Sequence, residues 1–311
     1  MLTRDLSFRS VLFTVVFISS VALPTRADTA VLTCAADTTL LEAEPDNNLG
    51  GATIVNAGTT QNFTRNRGLF RFDFSSIPRG SRVSRIDFVI EVTGQPKELQ
   101  TASSFGLHRM LRSWGEGNKV SPDPIHPGLG APATLGEATW NSPLAFTTND
   151  WATPGAGLTN DFLAEPSAVT FVFGPGDSPY TFLSTPFMAS DVQTWLDDPT
   201  SNFGWILVTE SEESNFTARR FGSREDPGRE PYIVVEFVPP RIDSVSVAGT
   251  VIELRFTAQP GVAYDVELSG ALVSPANWQT LTNFAPQAEQ TNLIASDPIT
   301  DSQRFYRLRI P

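Results

Sequence analysis

Short runs of apolar or alternating residues, each closed off by Gly, Pro, Asn or Asp, recur along this chain and leave little room for anything but a β-fold. They lie at 69–74 (LFRFDF), 86–92 (IDFVIEV), 169–173 (VTFVF), 205–209 (WILVT) and 232–238 (YIVVEFV). In the first, Phe70, Phe72 and Phe74 share one face while Leu69, Arg71 and Asp73 share the other, because side chains alternate across a strand. The chain carries 22 phenylalanines, and three such rings on one strand face can fill the space between two sheets. Many short strands separated by turn signals predict an all-β, jelly-roll-like sandwich. One short helix is expected, with Ser190 as its cap, Gln193 completing a capping box, and Met188, Val192, Trp195 and Leu196 on one face. Residues 115–136 and 141–166 are long connections rich in Pro and Gly, and connections of that length are where function concentrates.

Residues 1–27 read as an export signal. Arg4 and Arg9 form a basic start, 11–23 an apolar run, and Thr25 and Ala27 place small residues at −3 and −1 of a cut after Ala27. The apolar run is shorter than the ~20 residues that span a bilayer. A lipoprotein reading through Cys34 fits poorly, with Thr33 before it and Arg26 in the approach. The expectation is a secreted, extracellular protein with no membrane insertion after cleavage. The first domain then covers 28–238, Pro239-Pro240 is a stiff linker that no central strand tolerates, and 241–311 form a second, smaller β-sandwich. Strands are expected there at 242–247, 251–256, 263–268 and 304–310, with Trp278 and Tyr306 as core aromatics.

Charge and composition remove several classes of function. The chain has 34 acidic and 22 basic residues, and loss of 1–27, which holds three arginines and one aspartate, takes the net charge from −12 to −14. A nucleic-acid partner is excluded, since phosphate neutralisation needs a basic face. One cysteine and two histidines exclude a disulfide framework and a Cys/His zinc site. No Gly-x-Ser-x-Gly elbow, phosphate loop or His-Glu-x-x-His is present. A glycosidase needs only two carboxylates, and a uronate lyase could use Tyr180 or His108 with an arginine. His126 sits in a Pro-rich loop that would fix it poorly for catalysis. The chain is therefore read as non-catalytic.

A set of ordered motifs points further. Asp37-Thr38, Glu44-Pro45-Asp46-Asn47-Asn48-Leu49-Gly50 and Val55-Asn56-Ala57-Gly58 are followed by Arg67-Gly68-Leu69-Phe70-Arg71-Phe72-Asp73 and Trp114-Gly115-Glu116-Gly117. Thr139-Trp140-Asn141, Asp191-Val192-Gln193, Asn202-Phe203-Gly204-Trp205 and Phe221-Gly222-Ser223-Arg224-Glu225 complete the series. Together these resemble the DNRLRE domain, a disaggregatase-related carbohydrate-binding module, over roughly 35–238. Insertions at 121–132 and 147–166 depart from that pattern. Residues 241–311 are similar to the small Ig- or fibronectin-like sandwich appended to many exported bacterial proteins.

The resemblance implies a module that binds an extracellular polysaccharide, an acidic one such as alginate, without cleaving it. Arginine forks suit uronate carboxylates, and Arg71, Arg219, Arg220 and Arg224 are the candidate ligand-binding set. Each could equally meet Asp73, Glu225 or Glu236 in a structural pair. Among the tryptophans, Trp140, Trp195 and Trp205 read as core and Trp114 as a loop brace. Trp151, in a polar stretch of a long loop, is the candidate for stacking on a sugar. No cofactor is required. A structural Ca2+ has candidate oxygen ligands in Glu44, Asp46 and Asn48, two residues apart, although no EF-hand loop is present. Besides the enzyme reading, the alternative is an adhesion or matrix protein whose C-terminal domain docks on a cell-surface partner. Two Asn-Phe-Thr sequons, at Asn62 and Asn215, would carry glycans only after eukaryotic secretion.

Overall fold

The computed structural model describes residues 27–272, 277–301 and 303–311, so the expected export signal lies, but for Ala27, outside the described residues. The chain divides into two compact units, one ending at Pro240 and the other covering Arg241–Pro311. In the first, the strands are β1 (Asp28–Leu41), β2 (Asn47–Asn48), β3 (Ile54–Thr59), β4 (Arg65–Phe72), β5 (Arg82–Ile90), β6 (Val92–Gly94) and β7 (Ser103–Arg109). They continue as β8 (Ala131–Pro132), β9 (Ala168–Val172), β10 (Tyr180–Phe182), β11 (Trp205–Thr209), β12 (Arg219–Gly222) and β13 (Tyr232–Val238), with helix α1 (Pro186–Asp197) after β10.

An all-β sandwich results, and β1 explains how. Its first half pairs antiparallel with β13, and its second half pairs with β4. The register slips between Cys34 and Ala36, so the strand turns a corner there and joins the two sheets. One layer runs β10-β5-β13-β1 and the other β1-β4-β11-β7-β9, while β3, β12 and β6 extend from β4 as a third arm. Between the layers lie Phe70, Phe72, Phe88, Phe105, Phe182 and Trp205, all buried. The alternation of 69–74 sends its phenylalanines inward as expected. Helix α1 closes one end of this core with Met188, Val192, Trp195 and Leu196. It starts earlier than expected: Thr185 is the cap, accepting a 3.0 Å hydrogen bond from the Met188 N–H, and Pro186 follows at the first helical position. Ser190 is mid-helix because Pro186, whose fixed φ and missing N–H suit the first helical position, starts the helix four residues before it.

A second cluster lies on the opposite face of the β1-β4-β11 layer. There Leu40, Leu69 and Ile206 meet Trp114, Trp140 and Trp151, which come from the long connections. Those connections thus form an ordered wall over the sheet.

The C-terminal unit is a sandwich of two three-stranded sheets. Strands β14 (Ser244–Ala248), β15 (Val251–Ala258) and β18 (Thr291–Pro298) make one; β17 (Gln279–Phe284), β16 (Tyr264–Ser269) and β19 (Phe305–Arg309) make the other. Its centre is Leu254, Phe256, Tyr264 and Val266. Tyr306 packs against this core as expected. Trp278 does not fill it; it is half-buried, with the Arg307 guanidinium 4.3 Å above its ring. No helix among the described residues is long and apolar enough to cross a membrane.

Candidate functional site

The four expected arginines do not meet. Arg71 points away from the phenylalanine face and rests its guanidinium 5.1 Å from the Trp114 ring. Arg224 lies in an acidic knot: its Nε is 2.9 Å from a Glu225 oxygen and also donates to Glu116. Arg219 is only 1% exposed. Its guanidinium donates to five backbone carbonyls, those of Phe173, Phe216, Thr217, Ala218 and Thr101, at 2.8 to 3.2 Å. It is therefore a staple between loops and not a ligand contact, a role set by sharing the inward face of β12 with Phe221.

Trp151 is likewise corrected. It is 5% exposed, and its indole N–H donates to the Thr139 carbonyl at 2.9 Å, so no ring face is open to a sugar. The loop is polar in sequence, yet Asp161 accepts the N–H groups of Ala152 and Gly157 and so folds it over the tryptophan. Asn48 is spent as well. Its Nδ2 donates to Thr38 Oγ1 and to the Glu116 and Ala138 carbonyls, and its Oδ1 accepts from Gly50 and Lys119 N–H. With both lone-pair directions taken, Asn48 cannot serve as a calcium ligand. Asp46 accepts from Asn141 at 2.8 Å, and Glu44 is exposed. Among the described residues no group of three or more His, Cys, Asp or Glu is placed to hold a metal ion.

The motifs that carry the resemblance thus converge on one another. Asn48, Gly50, Glu116, Gly117, Ala138 and Arg224 form a packed knot around the β1 corner. A side chain at Gly50 would collide with the Glu116 carbonyl, its Cβ lying 2.0 Å away. At the centre is Asp37, 1% exposed, whose carboxylate accepts the Arg224 N–H at 2.7 Å and whose own N–H donates to Glu116. Burial first, then the charges of Glu225 and Glu116, push its pKa up to about 8.

Arg220 is exposed beside an opening, which the buried Arg219 also borders. Register places it opposite Asn56 of β3 and Gly94 of β6. Val55, Ala57, Phe221 and Val92 point into the core, so the alternate residues Asn56 and Arg220 point out. Gly94 makes room for the arginine stem: a Cβ there would lie 3.3 Å from Arg220 Cδ. Beside them runs a groove of about 530 Å3. Its floor and walls offer the amides of Asn56, Asn62, Asn66, Gln61 and Gln95, together with the Thr60 and Thr64 hydroxyls. Leu41 and Leu129 supply apolar surface, and Lys97 and Glu98 sit at the rim. The far wall, with Gly128 and Leu129, comes from the 121–132 insertion. β8 anchors it by pairing with β2, and Asn47 Nδ2 donates to the Leu129 carbonyl at 2.9 Å.

Polar capacity in the groove is largely unspent. Among the described residues neither Arg220 nor Lys97 has an acidic partner, and the side-chain amides of Asn66, Asn62, Gln61 and Gln95 make no hydrogen bond within the protein. His126, also on the wall, is 2.7 Å from Asp123. The residues raised for lyase chemistry lie elsewhere. Tyr180 donates its hydroxyl to the Gly174 carbonyl and accepts the Phe173 and Gly174 N–H groups. His108 is buried, bonded to the Leu163 carbonyl through Nδ1, and desolvation holds its pKa below the usual value.

Sequence reasoning missed Asn56, Asn66, Gln95 and Lys97 because they come from different elements and form no local motif. The one readable signal is alternation in Val55-Asn56-Ala57, which turns Asn56 outward. No protein-family model matches the chain, and comparison with curated proteins gives no match.

Proposed function

We propose that the unit ending at Pro240 is a secreted, non-catalytic module that binds an acidic polysaccharide in the groove beside β12. The observation that carries the reading is an unpartnered arginine amid unspent amides, on a protein whose formal charge is −12. A guanidinium without an acid partner offers a two-pronged donor to a uronate carboxylate. Side-chain amides donate and accept at once, which matches the paired donors and acceptors of sugar hydroxyls. A groove open to solvent suits a polymer better than a closed pocket does. The order of the DNRLRE-like motifs supports the same reading, since the family they resemble binds polysaccharide. If calcium takes part, a bridge between sugar carboxylates and the rim is its natural place.

Affinity electrophoresis of the full chain tests this in gels cast with alginate, pectate or a neutral glucan, with Ca2+ and with EDTA. Retardation by an acidic polymer, lost in Arg220→Ala and accompanied by no new reducing ends or unsaturated uronates, is the expected result. Released ends would make it an enzyme. Absence of retardation by every polymer would favour the adhesion reading, for which the exposed strip Val169, Phe171 and Phe173 is the motivating feature.

A further inference from the structure

Two Asn-Phe-Thr turns lie side by side, and they treat their phenylalanines differently. Phe63 and Phe216 both adopt left-handed backbone, with φ of 60° and 62°. A bulky aromatic residue is costly there, and such an outlier persists only when something holds it. For Phe216 the use is visible in the fold. Its carbonyl accepts the Thr101 N–H at 3.1 Å and an Arg219 Nη1 proton at 3.2 Å, and the ring is half-buried. Phe63 has no such use: its side chain is 65% exposed and no aromatic or cationic partner meets the ring among the described residues.

The turn that presents Phe63 is nevertheless tightly held. The Thr60 and Thr64 hydroxyls are 2.7 Å apart, the Thr60 N–H donates to the Thr64 carbonyl at 2.9 Å, and the Phe63 N–H donates to the Thr60 carbonyl at 3.2 Å. Asn or Gly would make this turn with less strain. The four other residues of the turn, Thr60, Gln61, Asn62 and Thr64, all line the groove beside β12. A rigid hairpin tip therefore carries one exposed aromatic ring between two residues that line a groove rich in hydrogen-bonding groups, Asn62 and Thr64, while Phe63 itself stands outside that lining.

We infer that Phe63 is an apolar platform at the edge of that groove, stacking on the C–H face of a pyranose ring whose hydroxyls and carboxylate are met by the amides and Arg220. The inference rests on the polysaccharide reading and adds the geometry of recognition: the sugar must present one face of axial C–H groups to the ring. Arginine confers a preference for acidic residues, and Phe63 a preference for pyranoses with an uninterrupted apolar face. The two contributions separate by salt, because screening weakens the charge contact and leaves apolar contact in place.

The test compares wild type, Phe63→Asn, Phe63→Tyr and Arg220→Ala, as full chains, in alginate gels at low and high salt, with melting temperatures measured alongside. Asn keeps the left-handed turn and removes the ring. The expected result is a loss of about five- to tenfold in affinity for Phe63→Asn at both salt concentrations. Phe63→Tyr should keep full retardation, and the melting temperature of Phe63→Asn should be unchanged or higher. Wild-type retardation that vanishes in Arg220→Ala but is untouched in Phe63→Asn overturns the platform and leaves the polysaccharide reading standing. A marked fall in melting temperature for Phe63→Asn also overturns it, since the ring would then be part of the fold. Failure of wild type to bind overturns both.

Discussion

The wall over the β1-β4-β11 layer and the groove beside β12 are made of the same residue types, loops with aromatic, amide and arginine side chains, and they differ in whether those groups are spent. In the wall, Trp114 donates to the Phe203 carbonyl, Trp151 to Thr139, and Arg67 to Glu212 and to the Gly155 and Ala156 carbonyls. In the groove, Arg220 and Lys97 have no acidic partner and four side-chain amides no hydrogen bond among the described residues. Burial obliges polar groups to find partners, so a closed region uses its capacity on itself. An open one keeps it for a ligand. Residue type alone therefore does not mark a site; the state of its hydrogen bonds does.

The sharpest way to break the comparison is to hollow out the wall. Trp151→Ala removes a buried indole and strands the Thr139 carbonyl, and is expected to cost about 3–5 kcal/mol in urea unfolding. A loss below about 1 kcal/mol would mean that the tryptophan is dispensable to the wall and free to serve a ligand.

A second effect, of intermediate size, comes from the sealed knot at the β1 corner. Asp37 has its folded pKa raised to about 8, chiefly by burial, against ~3.9 in the unfolded chain. Between those values the folded state binds the extra proton, so stability is greatest at the acidic end of the window and declines as pH rises toward 8. Glu225, also raised by burial, acts with the same sign. Urea unfolding at about pH 5.5 and about pH 8 should show a drop of roughly 3 kcal/mol in wild type. Asp37→Asn, which can still accept the Arg224 N–H, should flatten most of that slope. An unchanged slope in the variant would place the titrating group elsewhere.

How far the sequence anticipated all this depends on which residues are asked. The runs 205–209 and 232–238 coincide with β11 and β13, because their apolar residues are buried and no partner outside the run is needed to recognise them. The stretch 28–41 went unread, although it is the longest strand. Its Thr, Ala and Asp residues show no clean alternation, since the corner after Cys34 exchanges one sheet for another midway. Site residues fared worse for a related reason. Arg219 and Arg220 are neighbours on one strand with opposite fates; period 2 separates them and Phe221 marks the inward face, yet nothing local says that the carbonyls Arg219 meets come from distant loops. The burial of Trp151 is not legible in the sequence because the polar residues around it, Asp161 above all, are the ones that fold the loop over it.

The smallest expected effect is also the most discriminating. Arg220→Ala should change unfolding free energy by no more than about 0.5 kcal/mol, since its head has no partner to lose and only its stem, lying along Gly94, rests on the protein. The same substitution one residue earlier would take a donor from five carbonyls, three of them in the Phe216–Ala218 segment. A cost above about 1.5 kcal/mol at Arg220 would put it in the class of Arg219, a residue retained for the fold. A near-zero cost combined with lost retention on an acidic polymer has no structural explanation. It would mean that this side chain is held out, unpaired, for something other than the protein itself.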